Sequence, residues 1–197
     1  MTKHIPSISQ CLEFFDRYEM LDNIRAHSFV VARVAGALVD GLGRTGKALD
    51  PLPDLAEVTA GALLHDIAKT LCLHTACHHA EVGQRICIEL GYPELGEIVA
   101  EHVVLKNFSA ESYARGLFGA KEIVFYADKR VCHDQVVPLA QRLDYILERY
   151  GDKNPMKEKY IRLNFQRTLD FEKFLFGFLD FPPEEVLLRL SWESPPT

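Results

Sequence analysis

Apolar residues recur every three or four positions along almost the whole chain, which is the spacing of one face of an α-helix. No segment alternates apolar and polar residues over the length of a convincing strand. The pattern therefore predicts an all-α protein whose helices pack through apolar stripes. The predicted helices span about residues 7–20, 24–39, 54–66, 77–90, 93–104, 120–132, 138–150, 155–176 and 183–190.

Capping signals indicate where two of these helices begin. Ser7 is followed three residues later by Gln10, which is the spacing of a capping box. Asp54 precedes Glu57 at the same spacing. The first helix is therefore predicted to begin after Ser7 and the third after Asp54.

Two longer segments lack helical periodicity. Residues 41–53 are rich in Gly and Pro and are predicted to form a loop. Residues 107–118 are polar and irregular and are interpreted as a mobile loop, of which residues 107–115 could act as a lid or specificity element. The tail, residues 194–197, is predicted to fray.

Composition limits the classes of function. The 197 residues are 48% hydrophobic, which suits one packed domain, or one domain with a C-terminal extension. The net charge of −6 argues against a protein that grips a nucleic-acid duplex by its phosphates. No apolar run reaches the ~18 residues of a membrane span, and the first ten residues lack the features of a signal peptide. The five cysteines are scattered without a CxxC pair, so a cytoplasmic protein with reduced thiols is expected.

Six potential metal ligands fall on the apolar faces of the predicted helices. They are His27, His65, Asp66, His79, His102 and Asp128. The first of them, for example, lies three residues after Ile24 and four before Val31. An unpaired charge on such a face is costly or shifts its pKa, and a bound cation removes that cost.

This donor set points to divalent transition metals. It contains imidazoles and carboxylates without thiolates, and it admits Fe, Mn, Co, Ni or Zn. Six ligands are more than one such ion usually takes from a protein while keeping open positions. Two ions bridged by one carboxylate would use all six, and a pair ~3.5–4 Å apart can activate a water and clamp a phosphoryl group.

The same residues occur within five short motifs, in a characteristic order. These are Arg25–Ser28 (RAHS), His65–Lys69 (HDIAK), His79–Gly83 (HAEVG), Glu101-His102 and Ala127–Lys129 (ADK). With these motifs the chain resembles the HD-domain metal-dependent phosphohydrolase superfamily, and in particular its small stand-alone bacterial members of HDIG type. The resemblance implies a helical bundle, predicted here to span residues 1–137, with additional helices in 138–197 packing on it.

The resemblance also assigns the six ligands to two metals. The first would be held by His27, His65, Asp66 and Asp128, and the second by Asp66, His79 and His102. The candidate catalytic residues are the bridging Asp66 and Lys69, whose ammonium group could contact substrate phosphate or assist the attacking water. The implied reaction is hydrolysis of a phosphate ester or phosphoanhydride bond in a small phosphorylated substrate, such as a nucleotide, by a metal-activated water.

Two other functions remain open from the sequence. A related branch of the superfamily uses a similar ligand set in a di-iron centre for oxidative cleavage. A non-catalytic regulatory domain could keep the metal or nucleotide site without turnover. Iron content with oxygen consumption would identify the first, and inactivity toward all phosphate esters the second.

Several neighbouring residues have two interpretations. His78 is the alternative to His79 as a ligand if the latter is too distant. Lys129 and Arg130 are interpreted as surface charges, with phosphate contact as the alternative. The aromatic residues within 165–178 are expected to pack on the core or to form the face of a homodimer.

Overall fold

Helices dominate the residues that the computed structural model describes, which are 4–48, 51–75 and 77–190. The α-helices are α1 (Ile8–Arg17), α2 (Asp22–Thr45), α3 (Leu55–Leu64), α4 (His79–Glu89), α5 (Pro93–Glu101), α6 (Ala110–Ala114), α7 (Ala120–Lys129), α8 (Leu139–Tyr150) and α9 (Pro155–Gly177). A two-stranded hairpin of β1 (Val131–Cys132) and β2 (Gln135–Val136) follows α7, and a 3-10 helix covers Pro183–Arg189. The prediction of an all-α fold is confirmed. The predicted frayed tail, residues 194–197, lies outside the described residues.

Both predicted capping signals begin helices. Ser7 Oγ accepts a hydrogen bond from the backbone N–H of Gln10 at 3.2 Å, and Gln10 Oε1 accepts one from the N–H of Ser7 at 2.8 Å. Asp54 Oδ1 accepts a hydrogen bond from the N–H of Glu57 at 3.0 Å. These bonds satisfy backbone donors that the first helical turn leaves free.

Helix α2 continues beyond its predicted end, so the prediction of a loop from residue 41 is wrong over its first part. The helix ends at Thr45, and Gly46 follows with a φ of 61°. Gly41 does not break the helix, because it lies at a close packing contact. A Cβ atom at this position would lie 2.8 Å from side-chain atoms of both Leu179 and Phe181.

Residues 107–118 are more ordered than predicted. They contain α6, whose N-cap Ser109 accepts a hydrogen bond from the N–H of Ser112. Tyr113 is buried, and its ring packs edge-on against Phe171 with the ring centroids 5.0 Å apart. The segment is therefore not wholly irregular, because Tyr113 packs it against α9, while its role as a lid or specificity element stays a prediction.

Helix α3 lies in the centre of the fold and contacts α1, α2, α5 and α7. Every residue from Glu57 to Leu64 is buried. The chain that leaves its carboxyl end therefore starts inside the protein, and any polar side chain placed there is buried with it.

The C-terminal helices pack on this core. Helix α9 contacts α6 and α7, and its Phe165, Phe171 and Leu175 are buried. Helix α8 lies against α9 and the hairpin. Of the two roles expected for the C-terminal aromatic residues, the structure shows packing on the core. The predicted boundary between residues 137 and 138 stays a prediction.

Candidate metal centre

The central pair of the site follows directly from the burial of α3. The helix ends at Leu64, one residue earlier than the HD pair, and His65 is its C-cap with helical backbone angles. His65 and Asp66 are 0% and 1% exposed. The prediction that the helix itself carries both residues is therefore wrong, because the chain changes to a series of turns there.

Three of the histidines are oriented by backbone carbonyl groups. The Nδ1 atoms of His27, His65 and His102 lie 2.7, 2.7 and 2.6 Å from the carbonyl oxygens of His133, Ala62 and Val99, respectively. A carbonyl oxygen can only accept a hydrogen bond, so each Nδ1 carries the proton. Each Nε2 then presents its lone pair to the site, which is the arrangement usual for metal-ligating histidines.

The hairpin after α7 supplies one of these carbonyl groups. His133, in the turn of the hairpin, has a φ of 55°. Its carbonyl oxygen is the one that orients His27, which lies far away in the sequence on α2. The apolar pattern predicts that the helix continues to residue 132. That prediction is wrong, because the chain leaves α7 at Lys129 and turns back toward α2.

Asp66 lies between two pairs of histidines. Its Oδ2 atom is 3.4 Å from Nε2 of His65 and 3.9 Å from Nε2 of His27. Its Oδ1 atom is 3.3 Å from Nε2 of His79 and 3.6 Å from Nε2 of His102. One carboxylate therefore presents a different oxygen to each pair.

Asp128 completes the first pair. Its Oδ1 atom is 3.1 Å from Nε2 of His27 and 3.8 Å from Nε2 of His65. The structure thus brings together all six residues that the sequence singled out. Within this set, two groups of three residues each offer ligand atoms within 4.8 Å of one another. They are His27, His65 and Asp66, and Asp66, His79 and His102.

The donor atoms fit a bound cation. Among the described residues, His65 Nε2 and Asp66 Oδ1 are buried without a hydrogen-bond partner. Such an atom costs free energy unless another group satisfies it, and a divalent ion between these lone pairs would do so.

The ionisation of the site suits metal binding. Burial alone would raise the pKa of Asp66, but Lys69 and His65 hold it well below its usual value. Burial lowers the pKa of His79 to about 4, although Asp66 opposes the shift, and burial lowers the pKa of His102 as well. The carboxylate is therefore charged and these two imidazoles are neutral, which are the forms that bind metals.

His65 differs from those two histidines. Burial would lower its pKa, but the carboxylates of Asp66 and Asp128 outweigh that effect and raise it. The two acids therefore attract positive charge to the position of His65 Nε2. A divalent cation at the same position would neutralise the two carboxylates in place of a proton.

Three cationic side chains contact the two acids. Lys69 Nζ lies 2.6 Å from Asp66 Oδ2, Lys129 Nζ lies 2.7 Å from Asp128 Oδ2, and Arg142 Nη2 lies 3.4 Å from Asp128 Oδ1. These are the fixed positive charges of the site.

The interpretation of Lys129 and Arg130 as surface charges is wrong. Both are buried, because α7 carries its last turn into the interior. Lys129 Nζ also donates to the carbonyl oxygen of His102 at 2.8 Å. Arg130 faces away from the metal ligands and donates to the carbonyl oxygens of Val137 and Pro183.

Arg142 lies in the site but was not among the residues predicted from the sequence. It is 8% exposed, and its Nε atom has no hydrogen-bond partner among the described residues. The only signal for it was a cation in the first turn of a helix that begins soon after Asp128. That signal does not say which way α8 runs across the site.

Of the two adjacent histidines, the structure brings His79 to Asp66. His78 is exposed and serves as the N-cap residue of α4 without a side-chain capping bond. His79 is half-buried and lies 3.3 Å from Asp66 Oδ1, so it stays the predicted ligand of the two.

Two cysteines near the site form a disulfide, so the expectation of five reduced thiols is wrong. Cys72 and Cys77 are bonded to each other, with their Cα atoms 5.4 Å apart. This separation is typical of disulfides, and the turns after Lys69 produce it. Cys11, Cys87 and Cys132 are free and buried.

We expect Gly83→Ala to weaken the second histidine pair. A Cβ atom at Gly83 would lie 2.7 Å from Cγ1 of Val99, whose carbonyl oxygen orients His102. Overpacking of this kind costs about 1–3 kcal/mol of unfolding free energy. Affinity for a metal at this pair should fall ~10–100-fold, as when an orienting group of a ligand is lost. Chemical denaturation and metal titration measure the two effects.

Gly177→Ala is the matched control for this substitution. Gly177 is also helical, but a Cβ atom there would meet nothing within 4 Å. The change should leave metal affinity unaltered and cost no stability. Equal metal affinities for Gly83→Ala and the wild type would contradict the role given to the contact between α4 and α5.

The fold and the site together define an all-α domain with clustered histidine and aspartate side chains that could hold divalent metal ions. The model of the HD domain family matches residues 24–144, and the chain belongs to this family. Its members are generally metal-dependent phosphohydrolases. No curated protein and no solved structure shows significant similarity to the chain. Within the described residues, no helix is both long enough and apolar enough to cross a membrane.

Proposed function

We propose that the protein is a phosphohydrolase that uses two divalent metal ions to cleave a phosphate ester or phosphoanhydride bond in a small substrate, a nucleotide. The observation that carries this proposal is the position of Asp66. Its two oxygen atoms face two separate pairs of histidines. A carboxylate placed in this way can bridge two ions.

We divide the six residues between the two ions in the way that the family resemblance implies. The first ion would be held by His27, His65, Asp66 and Asp128, and the second by Asp66, His79 and His102. When bound, such ions supply an activated water and a stabilising charge for the phosphoryl oxygens. The donors admit Fe, Mn, Co, Ni or Zn.

The fixed charges of the site favour an anionic substrate. Lys69, Lys129 and Arg142 outnumber the two carboxylates that they contact. The site is therefore positive before any metal binds, and each divalent ion would increase the excess. A phosphate monoester, with a charge of about −1.5 to −2 at pH 7, offsets this excess better than a neutral substrate does.

Lys69 is the cation best placed to act on substrate. Its side chain is 31% exposed, whereas that of Lys129 is 5% exposed. It is bound to Asp66, yet it also lines the cavity that opens onto the site. We assign it to holding a phosphoryl oxygen and stabilising the charge that develops there.

The test combines metal analysis with a panel of substrates. Protein purified without oxygen is analysed for metals and then incubated with nucleotides, pyrophosphates and simple phosphate esters in the presence of Mn, Fe, Co, Ni or Mg. Phosphate release with at least one ion is expected. Bound iron and oxygen consumption without phosphate release would instead indicate an oxygenase, and inactivity throughout would indicate a binding domain.

Neighbouring histidines provide a test for the second ion. His79→Ala should lower the metal content from about two ions per chain to about one, because it removes a ligand that only the second ion would use. His78→Ala is the matched control and should keep both ions, since His78 is exposed at the start of the helix. Elemental analysis after gel filtration measures both. Equal metal contents in the two variants would contradict the two-ion proposal.

A further inference from the structure

A cavity of about 520 Å³ opens onto the metal ligands. Its inner wall contains Asp66, His79, His102 and Asp128, together with the three cations that contact the acids. Its volume lies within the ~300–1,000 Å³ that is usual for sites of drug-sized ligands. A phosphate group alone would fill only the inner end, so there is room for a larger substrate.

The outer part of the cavity is apolar. Fourteen large hydrophobic side chains are exposed among the described residues, and five of them line this one cavity. The five are Leu73, Val103, Val104, Tyr150 and Tyr160. Exposed apolar residues that gather around a charged site usually mark a surface that binds something.

The two tyrosines come from different helices. Tyr150 ends α8, and Tyr160 lies in the first half of α9. Between the helices, Asp152 and Lys153 both have a φ of 51°, which makes the connection tight. The turn brings α9 back along α8, so both rings contribute to the same cavity.

The position of Tyr150 connects the apolar part with the charged part. Tyr150 lines the same cavity as Lys69. A ligand whose phosphate reaches Lys69 would therefore extend into a space that this ring also lines. Tyr160, which is 65% exposed, would meet the more distant part of the ligand.

We propose that Tyr150 and Tyr160 form a subsite for a flat aromatic group, the base of a nucleotide, whose phosphate is held by Lys69 and Arg142 at the inner end. The proposal rests on the proposed function and adds to it the residues that select the substrate. Aromatic side chains stack face to face on a nucleobase. The strength of this stacking is largely independent of which base is present. Arg142 offers its guanidinium group to phosphate oxygens, because its present bond to Asp128 is long and its Nε is unpaired.

The test measures binding with ligands that cannot be hydrolysed. The Mn-loaded protein is titrated in a calorimeter with the 5′-methylenephosphonate analogue of adenosine monophosphate, and separately with methylphosphonate. Tyr150→Ala and Tyr160→Ala should each weaken binding of the nucleotide analogue about ten-fold and leave methylphosphonate unchanged. Tyr160→Phe keeps the ring and should restore binding, whereas Arg142→Ala should weaken both ligands.

Leu163→Ala is the control, because Leu163 is also exposed on α9 but does not line the cavity. It should bind both ligands as the wild type does. The subsite is disproved if the tyrosine variants bind the nucleotide analogue like the wild type, or if the wild type does not prefer it to methylphosphonate. If the subsite is disproved in this way but the wild type still releases phosphate from other esters, the proposed function remains supported. If binding of the nucleotide analogue depended on the tyrosines but the wild type hydrolysed no ester, the subsite would be supported and the proposed function would be wrong.

Discussion

Asp66→Asn is expected to release at least one of the two metal ions and to lower the rate of phosphate release by more than ~100-fold, since loss of even an outer partner of a ligand costs 10–100-fold. The amide has one oxygen and one N–H₂ group, so it can present a lone pair to only one of the two histidine pairs. Its shape matches the carboxylate, which is 1% exposed, so the core should pack as before. Metal content and phosphate release at saturating metal are the measurements.

The control for this variant removes the same charge elsewhere. Asp40 is exposed on α2, and Asp40→Asn should change neither metal content nor activity. Far-UV circular dichroism should give the same helix content for both variants. If Asp66→Asn kept two ions per chain, the bridging role of Asp66 would be wrong. If it kept wild-type activity, the proposed phosphohydrolase mechanism would be wrong as well.

Helical periodicity pointed to the six candidate ligands that the structure brings together. His27 lies on the stripe of Ile24 and Val31, and a residue on that stripe must face the core. The same reasoning placed His79 rather than His78 inside. Periodicity succeeds here because each ligand sits on or next to a helix, where position in the sequence sets direction in space.

The parts of the site that sequence did not predict depend on contacts between distant segments. The carbonyl oxygen of His133 orients His27 only because a two-residue hairpin turns back to α2. Arg142 reaches Asp128 only because α8 crosses the site. No local sequence pattern predicts either of these two contacts. The disulfide between Cys72 and Cys77 was also not predicted, although its partners are five residues apart, because it depends on how the turns after Lys69 close.

Burial was misjudged where charge was taken as a sign of exposure. Lys129 follows a ligand and looks like a solvated residue at a helix end, yet it is 4% exposed. Its ammonium group is compensated by Asp128 and by the carbonyl oxygen of His102. A charge can be buried when its partners are buried with it, and a single sequence does not show those partners.

Removing the metals is expected to lower the melting temperature by about 10 °C without unfolding the protein at room temperature. An ion present at a thousand times its dissociation constant stabilises the native state by about 4 kcal/mol. For a chain of this size, each kcal/mol shifts the melting temperature by about 2–4 °C. Scanning calorimetry of the chelated and the Mn-loaded protein measures the difference.

The metal-free protein should stay folded because its two acids have other partners. Lys69 pairs with Asp66, while Lys129 and Arg142 pair with Asp128, so each of these two carboxylates keeps a cationic partner. Asp66→Asn is the control, because it should show a much smaller shift with metal. Unfolding on chelation at room temperature would show that the ions hold the fold together. An unchanged melting temperature would show that no ion binds these ligands tightly. The three cations therefore have two expected roles: they replace the metals as counter-ions in the empty site, and they attract phosphate when the metals are bound.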